Sequence, residues 1–575
     1  MCGIVGGTNK AWDIESAVFS LRHRGPDSQK TVSNQDLVMG FARLAIIDLS
    51  HDADQPMSTD DKKIWIVFNG EVYAYKELRK DLISLGYRFR SQSDTEVILH
   101  AYEEWGDDFV QHIDGMFAIA IHDLRTRQLK IFRDRAGIKP LYYYHYNGQF
   151  AFASELKGIE ALCRDVAFEY DYTGLYDYLT YYYIPDPKTL YKNVFKLPPA
   201  HQLTYDLVAN KIIKLNRYWE LRVDPVGKSW TVDEASEQLR EFIKESVRDQ
   251  LVADVPVGCF LSGGMDSSVI VAEASELKAD LETFSIGFDN DEITETKYAR
   301  EVAQKFSVNH HIRILSQSSA DDLFKSIKQW YDEPFADISA LPTFLVSKFA
   351  REKMKVVLTG DGGDEVFGGY SRFHRFNMIN KIPHFPNETL RNMFTNLKLN
   401  VRPFSILHKF AYGMELLTAD EISCYGVLMD AMTPFEKIQY AKDWGIPKDY
   451  DTYWYFRKYY RKDLPLLTRL QYLDFHTYLP SDILTKVDRV SMAVSLEARV
   501  PLLSRKIIEF VFSLPEDIRY CDNRLKGLIK KAYQEKLPHS IIERAKMGFG
   551  VPDRYLNRRS ERIQKKILRE VFKVT

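Results

Sequence analysis

Residues 255–268 read Val255-Pro256-Val257-Gly258-Cys259-Phe260-Leu261-Ser262-Gly263-Gly264-Met265-Asp266-Ser267-Ser268. The run to Leu261 is apolar enough for a buried strand, Ser262-Gly263-Gly264 breaks it, and a helical pattern follows from about Ser267. On either side the theme continues. A helix is expected over 232–252, Thr283 to Phe288 and Lys355 to Leu358 read as strands, and the last runs into a second glycine-rich break, Thr359-Gly360-Asp361-Gly362-Gly363. Strands alternating with helices predict a parallel α/β sheet. Ligands of such sheets lie at the carboxyl ends of the strands, where both breaks fall. Backbone N–H groups freed by the glycines, with a helix N-terminus behind them, make an anion cradle. No Gly-Lys-Ser/Thr follows, so the loop is not a Walker A motif.

Upstream the texture differs. Ile64 to Phe68, Met116 to Ile121 and Leu129 to Phe132 read as strands, and Leu141 to Tyr146 with Gln149 to Ala153 flank Asn147-Gly148, a type I′ hairpin signal. A helix starts at Asp94-Thr95 with Val97, Ile98, Ala101, Tyr102 and Trp105 on one face, and Asp94 is a candidate N-cap. This is a mixed antiparallel sheet with helices. Five prolines between Pro185 and Pro225 suggest a connector with short strands, and beyond 370 the chain reads as mostly helical. The expected division is 2–200, a connector 201–231, and 232–575. The late basic residues Arg554, Arg558, Arg559, Arg562, Lys565, Lys566 and Arg569 read as a solvated helix face.

The 575 residues, 45% hydrophobic and 27% charged, suit two large or several ordinary globular domains and exclude disorder. A net charge of -2 gives no electrostatic reason to seek nucleic acid or anionic membrane. No run approaches the ~20 apolar residues of a membrane span, and the N-terminus lacks the basic and apolar regions of a signal peptide. Cys2, Cys163, Cys259, Cys424 and Cys521 form no CxxC pair, which points to a reducing cytoplasm rather than a disulfide or zinc framework.

Cys2 follows the initiator Met and precedes Gly3. Trimming of Met1 would give Cys2 a free α-amino group. Such a group ordinarily titrates at ~7.7–8.0, which suits it to act as base for its own thiol. Met1-Cys2-Gly3-Ile4-Val5-Gly6, Arg24-Gly25-Pro26-Asp27, Arg43-Leu44-Ala45-Ile46-Ile47-Asp48, Asn69-Gly70-Glu71-Val72-Tyr73 and Ser93-Asp94-Thr95-Glu96 follow in order. This set resembles the glutaminase domain of class II glutamine amidotransferases, an N-terminal-nucleophile αββα sandwich. The resemblance implies that Cys2 attacks the glutamine amide, that Asn69 and the Gly70 N–H form the oxyanion hole, and that Arg43, Leu44, Ala45, Ile46, Ile47, Glu71 and Asp94 complete the glutamine site. Arg43 would hold the carboxylate, Glu71 and Asp94 the ammonium.

The 262–268 loop is similar to the PP-loop of enzymes that split ATP between its α and β phosphates. Leu358 to Tyr370, Lys486-Val487-Asp488-Arg489, Ser495 to Pro501 and Lys546-Met547-Gly548-Phe549 complete a resemblance to the synthetase domain of the asparagine synthetase family, a Rossmann-like parallel α/β domain with a helical C-terminal part. It implies a glutamine-hydrolysing ligase that activates a carboxylate as an acyl-adenylate. Leu261, Ser262, Gly263, Gly264, Asp266, Ser267, Ile286, Thr359 and Gly360 would bind ATP. Asp266 and Asp364 would bind magnesium, and Lys546 would stabilise the adenylation transition state. Gly548 would flex as a segment closing over substrate.

The substrates implied are glutamine, ATP and a carboxylate, with aspartate to asparagine the first expectation. An interdomain ammonia tunnel and a homodimer are also expected. Three departures stand out: Phe41 where relatives often carry His, Ala136 where many carry Phe, and no arginine in Asp332 to Pro342, where some bacterial relatives bind aspartate. The last keeps a uronic acid of surface polysaccharide open as acceptor, and a non-catalytic binding protein of this fold is the remote alternative. An internal-amine acceptor of the β-lactam synthetase kind is disfavoured by the intact glutamine motifs.

Overall fold

The computed structural model describes residues 2–223, 229–288, 295–315, 326–544, 546 and 562–574. Two six-stranded antiparallel sheets form the first domain. In spatial order one runs Val194–Lys196, Tyr142–Tyr146, Gln149–Ala153, Gly3–Gly7, Val38–Arg43, Ser28–Ser33. The other runs Lys211–Arg217, His201–Asp206, Gln128–Arg133, Asp114–Asp123, Ile64–Tyr73, Met57–Ser58. The strand Asp114–Asp123 explains the layering. Phe117, Ile119 and Ile121 pack towards the helices Tyr75–Ser84 and Asp94–Trp105, while Ala118 and Ala120 meet Ile4 and Phe41 of the facing sheet. Period-two alternation with both faces buried makes a continuous apolar run. The helices Ile14–Ser20 and Leu156–Leu162 cover the outer face of the first sheet, completing αββα.

The second domain holds a five-stranded parallel sheet ordered Asn309–Leu315, Glu282–Phe288, Val257–Phe260, Val356–Leu358, Glu497–Arg499. The helix Val232–Gln250, entered through a Thr231/Glu234 capping box, packs with Met265–Leu277 on one face. Ala340–Arg351 and Thr485–Met492 pack on the other. Phe373, Phe376, Tyr425, Tyr455 and Phe456 form a separate aromatic-rich core with Tyr178 and Tyr181 of the helix Tyr172–Tyr181, whereas Arg505–Ser513 and Gly527–Tyr533 pack onto the core of the parallel sheet.

Four expectations are corrected. The short strands of the expected connector 201–231 belong to the first domain: His201–Asp206 pairs with Gln128–Arg133 and Lys211–Arg217 pairs in turn with it, because Leu203 and Tyr205 bury fully between the sheets. The helix after the first glycine break begins at Met265, not Ser267, since Ser268 N already donates to Gly264 O at 3.0 Å. The N-cap of the Asp94–Trp105 helix is Ser93, whose hydroxyl accepts from Glu96 N, which leaves the Asp94 carboxylate for another partner. Gly548, Arg554, Arg558 and Arg559 lie outside the described residues. Of the basic residues that are described, Arg562 is paired with Asp430 (2.8 Å) and Glu436 (2.7 Å) rather than merely solvated.

Candidate active sites

Cys2 heads the central strand Gly3–Gly7 and is buried. Its N–H donates to Asn69 Oδ1 at 2.9 Å, and its Sγ faces Leu44 O at 3.9 Å. Burial pushes the thiol up, so thiolate is not preformed and the reaction needs a base at hand. Asn69 is fully buried on the facing sheet, and its Nδ2 has no hydrogen-bond partner. A buried amide donor left unmade is costly; here it stands beside a nucleophile. Gly70 permits the close strand pairing behind it, since a Cβ there would lie 2.0 Å from Met116 O.

The other expected glutamine-site residues surround this pair. Arg43 ends the strand Val38–Arg43, and its guanidinium donates to Ser50 O (2.6 Å), Asp54 Oδ1 (2.8 Å) and Asp48 O. Its charge is still close enough to favour the Cys2 thiolate. Leu44 and Ile46 are buried, Ile47 is packed beside them, and Ala45 N donates to Asp27 Oδ2 at 2.8 Å. Asp94 Oδ2 accepts from Val72 N at 3.0 Å, and burial lifts its carboxyl to about 6. Burial, then the Glu497 carboxylate, push Glu71 well above the usual carboxylate range, with Arg499 pulling it back. Arg24, missed above as a site residue, donates from Nε to Cys2 O at 3.1 Å and grips Asp488 of the second domain at 2.8 and 3.0 Å.

At the carboxyl edge of the parallel sheet lies a cavity of about 850 Å³, lined by Leu261, Ser262, Gly264, Asp266, Ser267, Ile286, Thr359, Gly360, Asp364 and Lys546 among others. Gly263 sits behind them, its carbonyl accepting from Arg544 Nη1 at 2.8 Å. The two glycine loops touch: a Cβ on Gly363 would lie 2.6 Å from Asp266 Cγ. That approach unites Asp266 and Asp364, the expected metal carboxylates. Lys526 Nζ bridges them, 2.5 Å from Asp266 Oδ2 and 2.6 Å from Asp364 Oδ1, and Lys546 Nζ pairs with Asp364 Oδ2. Burial opposes ionisation of Asp364, but the two lysines outweigh it and hold the carboxyl well below its usual range. Asp266 Oδ1 is buried without a hydrogen-bond partner. Two carboxylates from two loops, one with an unused oxygen, suit magnesium, which takes one or two carboxylates and fills its shell with water and phosphate oxygens.

Two residues of this cavity were not singled out from sequence. Lys526 sits in Arg524-Leu525-Lys526-Gly527, which looks like any turn into a helix. Glu365 adjoins Asp364 within the second glycine break; burial, then Asp364, push it to about 7, and Tyr370 donates to its Oε1. The adjacent acidic pair was the available signal for it. Phe41, among the departures, is buried between the two sheets, and Ala136 is buried in the seam between domains.

An αββα sandwich bearing a buried cysteine, joined to a parallel α/β domain with a cavity between its two glycine loops, defines a two-domain amidotransferase ligase. Residues 1–219 match the family model of the glutamine amidotransferase domain, and residues 238–573 match that of asparagine synthase. The chain belongs to the asparagine synthase family, an ATP-dependent family of ligases. It is 33% identical to asparagine synthetase (glutamine-hydrolyzing) 1 of Bacillus subtilis strain 168, over 96% of this chain and 88% of that one. Asparagine synthetase (glutamine-hydrolyzing) 3 of the same organism is 30% identical over 96% and 87%. A fungal relative, Amidase chry2 of Gibberella zeae, is 27% identical over 94% and 85%. Among the described residues no helix is long and apolar enough to cross a membrane.

Proposed function

We propose that this enzyme hydrolyses glutamine at Cys2 and uses the ammonia to amidate a carboxylate, with aspartate as acceptor and asparagine as product. The Cys2 α-amino group, freed of Met1, takes the thiol proton. The thiolate attacks the glutamine amide carbon, Asn69 Nδ2 and Gly70 N–H stabilise the oxyanion, and the α-ammonium returns its proton to the nitrogen, which leaves as ammonia. Water then cleaves the thioester to glutamate. Arg43 binds the substrate carboxylate, Glu71 and Asp94 its ammonium. At the second site the acceptor carboxylate attacks the α-phosphorus of ATP and expels pyrophosphate. Ammonia attacks the acyl carbon and expels AMP, and Glu365 is the buried carboxylate available to take its proton. Asp266 and Asp364 would hold magnesium, which would supply charge to the phosphates; Lys526 and Lys546 supply more. The observation that carries the reading is the unpartnered Asn69 Nδ2 beside the buried Cys2.

An apolar seam supports transfer of ammonia between the sites. Leu44, Ile46, Met116, Ala136 and Ile138 of the first domain share one core with Leu261, Met265, Val500 and Leu502 of the second. Ammonia that reached bulk water at neutral pH would be mostly protonated and no longer a nucleophile.

The acceptor wall favours a second reading. Asp337, Ser339, Thr343, Tyr370 and Tyr478 also line the cavity, and a lysine among them, Lys486, is already held by Asp337 (3.1 Å) and Ser339 (2.8 Å). A wall this rich in hydroxyls suits a uronic acid, whose ring hydroxyls need hydrogen-bond partners. Pyrophosphate release with glutamine and ATP separates the two: release with aspartate supports the first, and release only with a hexuronic acid would replace it by the second.

Five unpaired cysteines support a reducing, cytoplasmic setting. The apolar side chains exposed at Phe404, Ile406 and Phe410 support a homodimer. Mass measurement in solution is expected to give twice the 67.0 kDa chain; a monomer at micromolar concentration would rule that out.

A further inference from the structure

Apart from Val500 in the apolar seam, the stretch Ser495 to Pro501 has no part in the chemistry above, yet its edge strand Glu497–Arg499 reaches the glutamine site from the other domain. We infer that Arg499 is a positioning residue of the glutaminase reaction, supplied by the synthetase domain, which holds the Glu71 carboxylate in place for the substrate ammonium. The inference rests on the role proposed above for Glu71.

Arg499 is 1% exposed and its guanidinium is fixed on three sides. Nε donates to Glu497 Oε1 at 2.6 Å, and Nη1 donates to Gln250 O and Val252 O, both at 2.7 Å, where the helix Val232–Gln250 ends. These bonds set the plane of the rigid fork. What remains, Nη2, is buried without a hydrogen-bond partner and lies 3.4 Å from Glu71 Oε1. The strand itself is fixed by the nucleotide loop: Arg499 pairs with Leu358, and its carbonyl accepts from Thr359 N at 2.9 Å.

The need for such a residue follows from what else faces Glu71. Glu497 from the same edge strand and Asp94 from its helix are carboxylates, and Tyr73 brings a buried hydroxyl without a partner. Among the described residues the favourable charge facing it is Arg499. Three buried carboxylates with one guanidinium withdrawn would not all stay charged. In the docked enzyme Arg499 is therefore the counter-charge that keeps Glu71 ionised beside Glu497 and Asp94, and the glutamine site draws that residue from the second domain.

The test compares Arg499→Met and Arg499→Lys in the full-length enzyme. Arg499→Met should raise the KM for glutamine on the order of 10²-fold, since Glu71 then loses both its placement and its counter-charge. Ammonium-dependent synthesis should stay within about twofold, since it bypasses Glu71. The pH profile separates positioning from mere packing. Glu71 must be ionised to bind the ammonium, so glutamine binding is present above its folded pKa and lost as pH falls through it. Arg499 lowers that pKa; without it, Arg499→Met should lose glutamine at a higher pH than the parent. Arg499→Lys keeps the charge and should restore the parent profile with a smaller KM increase. Equal loss of ammonium-dependent synthesis, or a KM or profile unchanged in Arg499→Met, would overturn the inference. If Arg499→Met does not fold, a Lys variant whose profile moves to higher pH would also overturn it. Glutamine hydrolysis by the parent that survives Glu71→Gln unaltered would instead remove the reading of Glu71 on which it rests.

Discussion

Cys2→Ala enzyme is expected to make no amide from glutamine and to keep making it from ammonium. The expectation rests on the separation of the two chambers. Cys2 belongs to the antiparallel sandwich, while Asp266, Asp364, Lys526 and Lys546 belong to the parallel domain and, among the described residues, share no hydrogen bond with it. Sγ has few interactions to lose: its hydrogen-bond partner among the described residues is a carbonyl at 3.9 Å. The fold should therefore survive, and only the nucleophile is lost. Asn69→Ala provides a graded comparison. Removing one oxyanion donor typically costs ~10²–10³ in rate, so it should leave residual glutamine use where Cys2→Ala leaves none. A chain with Met1 retained should behave like Cys2→Ala, because burial keeps the thiol protonated and the α-amino base is gone. Parallel loss of ammonium- and glutamine-dependent synthesis in Cys2→Ala would refute the division of labour.

How far the sequence foretells this architecture depends on how local each cause is. Cys2, Asn69, Gly70, Glu71 and Asp94 are legible because each sits in a short motif whose strand or helix is written in the same few residues. Asp266 and Asp364 are legible for a similar reason: each stands beside the glycines that let the two loops touch. Lys526 is not, because a lysine before Gly527 acquires meaning only when Asp266 and Asp364 converge on it. Arg24 and Arg499 appear within the quoted motifs, but their partners Asp488 and Glu71 lie in the opposite domain, and no periodicity records a contact of that range. The boundary expected after residue 200 has a physical cause too. Lys211–Arg217 is a mostly exposed edge strand, so its polar faces do not tie it to a core, and Leu203 and Tyr205 on its neighbour mark the sheet it extends. Nothing local distinguishes the acceptor: the hydroxyl-rich wall at Ser339, Thr343 and Tyr370 comes from segments brought together by the fold.

Asp364→Asn should remove ATP cleavage altogether, and Asp266→Asn nearly so, while glutamine hydrolysis at Cys2 remains measurable in both. Asp364 is the residue on which the cavity's charge converges, receiving Lys526 on one oxygen and Lys546 on the other. Neutralising it leaves the buried Lys526 with Asp266 alone and frees Lys546 from its partner, so neither ammonium keeps its present position. It also removes half of the hard-oxygen pair that would hold magnesium against the phosphates. Asp266→Asn is the milder change, since Lys526 and Lys546 both keep Asp364. Breaking a buried ion pair is typically worth ~3–5 kcal/mol, so Asp364→Asn should also lower the thermal midpoint of the second domain. Glutamine hydrolysis then serves as the control for folding of the first. The nucleotide product carries the chemical assignment. Cleavage in the parent should yield AMP and pyrophosphate in equal amounts, because a carboxylate attacking the α-phosphorus must expel pyrophosphate. ADP and phosphate in the parent would mean attack at the γ-phosphorus and an acyl-phosphate intermediate, and Asp364→Asn enzyme that still cleaved ATP at the parent rate would show that the two glycine loops hold their carboxylates for some other purpose.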